Sequence, residues 1–200
     1  MRSVLCIFAR TPELGRVKQR LAAELGDEGA LAAHERLLAG TIQRTVDDPR
    51  FTTELWLTRL QRNLPDWLRS DSAGLHQQPA GDLGQRMQQV MTQTLTHADR
   101  CVLIGSDCPD IDGDYVASAF SALAKVDVVF GPAEDGGYGL VGLTRLVPEV
   151  FAESSWGDAG VLERARHRLA NAEVSVSLLP EIYDVDEPSD WRRFLAAERD

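Results

Sequence analysis

The chain has 200 residues, 44% of them hydrophobic and 26% charged, with a formal net charge of -10. That size and balance suit one soluble globular domain, residues 1–200, and exclude an extended disordered chain. The acidic excess argues against a protein that binds nucleic acid through non-specific electrostatics, but not against a small phosphorylated ligand held by a local basic cluster. Cys6, Cys101 and Cys108 form no CxxC pair, so neither a disulfide frame nor a zinc finger is expected. No stretch approaches the ~18 apolar residues of a membrane span, and the run Val4 to Ala9 is too short for a signal peptide. The expected location is cytoplasmic.

In chain order, Ser3 to Ala9 is an apolar strand, followed by a turn-rich loop and a helix near Val17 to Leu25. Asp27 is placed to cap a longer helix running to about Val46, with Ala30, Leu31, Leu37, Leu38 and Ile42 as its buried stripe. Thr53 to Leu57 and the more polar Gly74 to Gln78 are strands, and Leu83 to His97 is helical, with Met87, Val90, Met91 and Leu95 on one face. Cys101 to Gly105 is a continuous apolar run, as a central parallel strand covered on both faces requires. A helix over Tyr115 to Lys125 precedes strands at Val126 to Phe130 and Tyr138 to Leu143; Ala159 to Leu169 is helical, Val174 to Leu179 a strand, and a last helix begins near Pro188. Alternating strands and helices predict a mostly parallel open sheet with helices on both faces, and in such folds ligands lie beyond the carboxyl ends of the strands.

Four loops in that position carry reactive groups. The first, from Arg10 to Arg20, holds Arg10, Arg16, Lys18 and Arg20 against a single acid, Glu13. Only Lys18 and Lys125 are lysines; every other basic residue is arginine, so a compact ammonium is singled out at 18. Basic side chains at a helix start oppose its dipole, which favours a phosphate site over a solvated helix end. The second loop places Asp107 directly after the most buried strand, where a carboxylate needs a partner such as a divalent cation shared with a diphosphate. Asp110, Asp112 and Asp114 suit turns and the next helix cap. The third, Gly131 to Tyr138, holds Asp135 beside two glycines: either an ordinary hairpin turn or a carboxylate that binds or deprotonates an acceptor hydroxyl. In the fourth, Asp184 or Asp186 offers a second metal carboxylate, while Asp186 also suits the cap of the last helix. Asp82 fits a helix cap and Arg86 lies within reach of a nucleotide; the four histidines share no ligand spacing. No GxGxxG follows the first strand and GxxxxGK[ST] is absent throughout, which argues against nicotinamide dehydrogenases and P-loop NTPases.

Taken in order, Phe8 to Pro12 with Gly15 to Leu21, Gly81 to Met87, Ile104 to Pro109, Gly131 to Tyr138, Ser155-Trp156-Gly157 and Asp184-Val185-Asp186 resemble the DUF2064 glycosyltransferase-like family within the nucleotide-diphospho-sugar transferases of GT-A fold. The resemblance implies a three-layer α/β/α sandwich and a nucleotide or nucleotide-sugar over the first loop, with Lys18 and Arg20 at its phosphates. It also implies Mg2+ or Mn2+ on Asp107 with Asp184 or Asp186. The chain departs from the family pattern at Gln19, Gly139 and Asp158, where Thr, a bulky aromatic and a hydroxyl residue are common.

The resulting expectation is glycosyl transfer to a small-molecule acceptor of unknown identity, with Lys18 and Asp135 as catalytic groups and Arg10, Lys18, Arg20, Asp82 and Arg86 binding the nucleotide. Nucleotidyl transfer with release of pyrophosphate is the alternative, and an inert nucleotide-binding module the third reading.

Overall fold

The computed structural model describes every residue except 63, 69–72, 154–155, 158 and 199–200. Ser155 and Asp158 of the sequence motifs therefore lie outside the described residues. The described elements are β1 (Ser3–Ala9), α1 (Gln19–Thr45), β2 (Thr52–Leu57), β3 (Ala73–Gln77), α2 (Leu83–Thr94) and β4 (Arg100–Gly105), followed by α3 (Gly113–Ala122), β5 (Val128–Pro132), β6 (Tyr138–Leu143), α4 (Val161–Asn171), β7 (Val176–Leu178) and α5 (Pro188–Ala197). The two helices expected on either side of Asp27 form one element broken at Gly26, whose φ of 70° and ψ of 170° leave the helical region.

The strands form one sheet in the order β3-β2-β1-β4-β6-β5-β7. β6 alone among them runs antiparallel, to both β4 and β5. Alternation along β1 explains the two cores. Leu5, Ile7 and Ala9 face one side and pack with Leu38 of α1 and Val116, Ala119 and Phe120 of α3. Val4, Cys6 and Phe8 face the other and pack with Met87, Val90 and Met91 of α2 and Ala165 and Leu169 of α4. A strand buried on both faces has no polar side, hence the uninterrupted apolar runs of β1 and β4. On the outside of α1, Leu37 meets Phe194 of α5 together with Tyr183 and Val185.

The chain leaves β1 toward β2 and β3 on one side, and β4 lies on the other. This reversal of strand order opens a crevice between the carboxyl ends of β1 and β4. Asp112 rather than a residue nearer Tyr115 caps α3, accepting from the Tyr115 N–H at 2.8 Å, so the helix starts two residues earlier than expected. The last helix is capped at Glu187, not Asp186: Asp190 accepts from the Glu187 N–H at 2.7 Å and the Asp186 N–H at 3.2 Å.

Residues 133–137 join β5 and β6 as a tight hairpin connection, with the Gly136 N–H donating to Ala133 O at 2.9 Å. Gly136 has φ 85°, and a Cβ there would be driven into the carbonyl of Ala159, just before α4. Its own carbonyl accepts from the Leu162 N–H at 3.2 Å. Gly136→Ala is therefore expected to destabilise the protein by roughly 2–4 kcal/mol, seen as a lower urea midpoint at unchanged slope.

Candidate active site

The crevice is a cleft of about 980 Å³, lined by Arg10, Arg16, Lys18, Arg20, Arg59 and Arg86 among others. A smaller cavity of about 300 Å³ adjoins it, containing Asp135 and Asp184 in its lining. Phe8, Leu83, Gly105 and Asp107 belong to both, so Asp107 stands at the seam.

Lys18 ties three loops together there. It is the residue before α1 and sits in the left-handed region at φ 45°, ψ 47°, uncommon for a side chain with a Cβ. This turn sends its chain inward, where the ammonium is only 5% exposed and lies 2.7 Å from Asp107 Oδ2. Lys18 Nζ also donates to Val185 O at 2.6 Å and lies 3.9 Å from Asp186 Oδ1. The Val185 N–H in turn donates to the Asp107 carbonyl at 2.9 Å, closing the ring between the β4 loop and the last loop. Burial raises the Asp107 carboxyl, but the charge and hydrogen bond of Lys18 outweigh it and hold the acid below its usual range.

Asp184 and Asp186 are treated differently. Asp186 is paired with Arg20 at 2.9 Å, and Glu187 lies 3.7 Å from the same guanidinium. Asp184 is half-buried, and burial followed by the negative charge of Asp135 pushes its carboxyl above the usual range. Asp135 is exposed, and its Oδ1 accepts from the Gly137 N–H at 2.8 Å. The hairpin turn is present, and Asp135 within it lines the smaller cavity.

Arg86 is held at the cleft by Gln78, whose Oε1 accepts from it at 3.0 Å. The buried Gln78 carboxamide donates to Ala9 O at 3.1 Å and Trp56 O at 2.9 Å, fastening the ends of β1 and β2. Asp82 serves as the α2 cap, accepting from the Gln85 N–H at 2.9 Å, and is not among the residues lining the cleft. Arg10 does line it, donating to Arg16 O at 3.4 Å.

Sequence reasoning missed Gln78, Thr11 and His34. Thr11 accepts from the Arg59 N–H at 2.8 Å and donates to Arg59 O at 2.6 Å, locking the loops after β1 and β2. His34 lines the cleft from α1, with Nε2 2.9 Å from Arg10 O. Its position on the buried stripe with Ala30, Leu37 and Leu38 was the available signal.

No three His, Cys, Asp or Glu side chains form a metal cage among the described residues. Asp107 and Asp184 line the same cavity, and carboxylate oxygens are the donors a hard divalent cation takes.

Sheet order, helices on both faces and a cleft at the β1/β4 switch define a three-layer α/β/α sandwich of the nucleotide-diphospho-sugar transferase, GT-A type. It resembles a provisionally named nucleotide-diphospho-sugar transferase from Desulfovibrio desulfuricans G20, with TM-score 0.90 and 29% identity over 100% of this chain and 89% of that one. The chain belongs to the family described as uncharacterized protein conserved in bacteria, DUF2064, whose model matches residues 41–158. Two more distant structures share the fold. One is a CMP:2-keto-3-deoxy-manno-octonic acid synthetase complexed with CTP, with TM-score 0.64, 12% identity, and coverage of 100% of this chain and 99% of that one. The other is Rv0371c of Mycobacterium tuberculosis in complex with manganese, with TM-score 0.52, 17% identity, and coverage of 98% and 100%. No functionally curated protein matches the chain.

Burial is the largest influence on His34 and lowers its imidazole from the ordinary 6.5. The unfolded chain therefore takes up a proton near pH 6.5 that the folded chain refuses until lower pH. The stability this residue contributes is present above pH 6.5 and is lost as pH falls through the interval down to its folded pKa. In urea titrations, wild type is expected to lose up to about 1.4 kcal/mol per pH unit more than His34→Asn across that interval.

Proposed function

We propose that the protein is a metal-dependent transferase that binds a nucleotide-sugar in the basic cleft and passes the glycosyl group to an acceptor in the adjoining cavity. The observation that carries this reading is the Lys18–Asp107 pair at the seam between the two spaces, with cations on one side and carboxylates on the other. Arg10, Arg20 and Arg86 are the groups assigned to the nucleotide and its phosphates. Asp107 and Asp184 are assigned to Mg2+ or Mn2+, since both line the smaller cavity whereas Asp186 lines only the cleft. A divalent ion, when bound, supplies positive charge against diphosphate oxygens. The manganese complex of Rv0371c and the CTP complex of the synthetase support a divalent ion and a nucleotide as the ligands of this fold.

The acceptor hydroxyl oxygen attacks the anomeric carbon of the sugar. The bond from that carbon to the diphosphate oxygen breaks, and its electron pair leaves with the nucleoside diphosphate. Lys18, held in place before the reaction begins, faces the charge that develops on that oxygen. Asp135 takes the hydroxyl proton.

Nucleotidyl transfer is the second reading, favoured by the fold shared with the CTP-bound synthetase. There an acceptor oxygen attacks the α-phosphorus and pyrophosphate leaves with the electron pair of the broken P–O bond. A thermal-shift panel of nucleoside triphosphates, diphosphates and nucleotide-sugars, with and without Mg2+ or Mn2+, tests the common claim. A stabilised melt is expected with at least one nucleotide; no shift with any of them at millimolar concentration refutes it. Released nucleoside diphosphate marks glycosyl transfer and pyrophosphate marks the rival. Asp135→Asn is expected to lower glycosyl transfer by roughly 10²–10⁴-fold, the usual contribution of a general base, with little change in nucleotide binding.

A further inference from the structure

The 300 Å³ cavity differs from the cleft beside it in size and in the character of most of its walls. Its walls are mostly carbon: Phe8, Met87, Leu103, Leu140, Tyr138 and Trp156. No Lys, Arg or His lines it among the described residues, whereas Asp107, Asp135 and Asp184 do. A dianionic phosphate placed here would find no side-chain cation among the described residues and would lie between apolar walls and Asp135, the carboxylate not assigned to the ion. A bare sugar presents hydroxyls on all sides and would leave most of them unpaired against such walls, at a cost for every one buried. Tyr138 and Trp156 each carry a buried polar atom, the hydroxyl and Nε1, without a partner among the described residues. Their rings meet edge to face with centroids 6.3 Å apart.

Resting on the transferase reading above, we infer that the acceptor is an uncharged alcohol carried on an apolar, ring-sized body rather than a phosphorylated compound. The apolar body occupies the aromatic part of the cavity, and the hydroxyl meets Asp135. At 300 Å³ the space is at the small end of ligand pockets, which limits the body to about one ring with a short chain.

The test uses a matched pair of probes, 3-phenylpropan-1-ol and 3-phenylpropyl phosphate, titrated against the full chain with and without Mn2+. Trp156 fluorescence reports the cavity, with Trp156→Phe as the control that removes the signal. Amide shifts of Gly137 and Gly139 give a second measurement that needs no variant. The alcohol is expected to bind at low-millimolar concentration or tighter, and the ester at least tenfold more weakly in both conditions. Asp135→Asn is expected to tighten the ester at least threefold.

An ester that binds as well as the alcohol, with or without Mn2+, overturns the inference. So does an alcohol that perturbs neither Trp156 nor the two glycines. Nucleotide thermal shifts on the same samples separate the claims: alcohol binding without any nucleotide shift leaves the cavity assignment standing and removes the transferase reading. A nucleotide shift with ester preferred removes the acceptor class alone.

Discussion

The site depends on one buried ammonium. Removing a lysine from water costs several kcal/mol unless charge and hydrogen bonds replace its hydration. Here the Asp107 carboxylate and the Val185 carbonyl do so, with Asp186 a little further away. Because these partners lie on different loops, satisfying Lys18 fixes the loops relative to one another. The left-handed backbone at Lys18 is a local cost accepted so that α1 can begin while the side chain turns under the sheet end. A guanidinium, planar and larger, would not fit the same compact three-way contact, which gives physical meaning to one of two lysines among 21 basic residues.

Charge is then sorted around that centre. The chain carries a net charge of -10, yet the wide cleft is lined by arginines and the small cavity by acids. The arginines are themselves restrained by protein partners. Arg86 is tied to Gln78, Arg20 to Asp186, and Arg16 to Glu13 at 3.1 Å. Such pairs hold the cations in place while leaving the exposed guanidinium groups other donors to offer, so an incoming phosphate meets an arrangement already oriented.

How much of this was legible in the sequence follows from how far each interaction reaches. β1 and β4 were legible because burial on both faces leaves continuous apolar runs after their first residues, Ser3 and Arg100, a purely local signature. The two parts of α1 were legible on either side of Gly26, where the backbone leaves the helix. Lys18 and Asp107 stood out through residue type and position after a strand. Their direct contact did not, nor did the bond from Lys18 to Val185, 167 residues away, since no local pattern encodes either closure. Gln78 was invisible for the same reason: a glutamine after a polar edge strand is unremarkable until Ala9, Trp56 and Arg86 converge on it. The cap of the last helix falls on Glu187 instead of Asp186 because Asp190 folds back onto both backbone N–H groups, a choice the preference for Asp at a helix cap does not reveal.

The contrast between Asp184 and Asp186 bears on what the last loop is for. They are two residues apart on the segment that Lys18 anchors through Val185, the residue between them. The two acids nevertheless reach different surroundings: Asp186 meets Arg20 in the cleft, and Asp184 lines the cavity that also holds Asp135. A fold selected for stability alone would gain by pairing or deleting Asp184, whose burial and repulsion both oppose its charged form. Such an acid, lining the same cavity as Asp107, is an unfavourable arrangement for the isolated chain and, in the proposed scheme, a favourable one for a chain that receives a cation. In the proposed scheme the same closure that stabilises Lys18 therefore also presents Asp184, so the loop that completes the fold is the one that prepares it for its ligand.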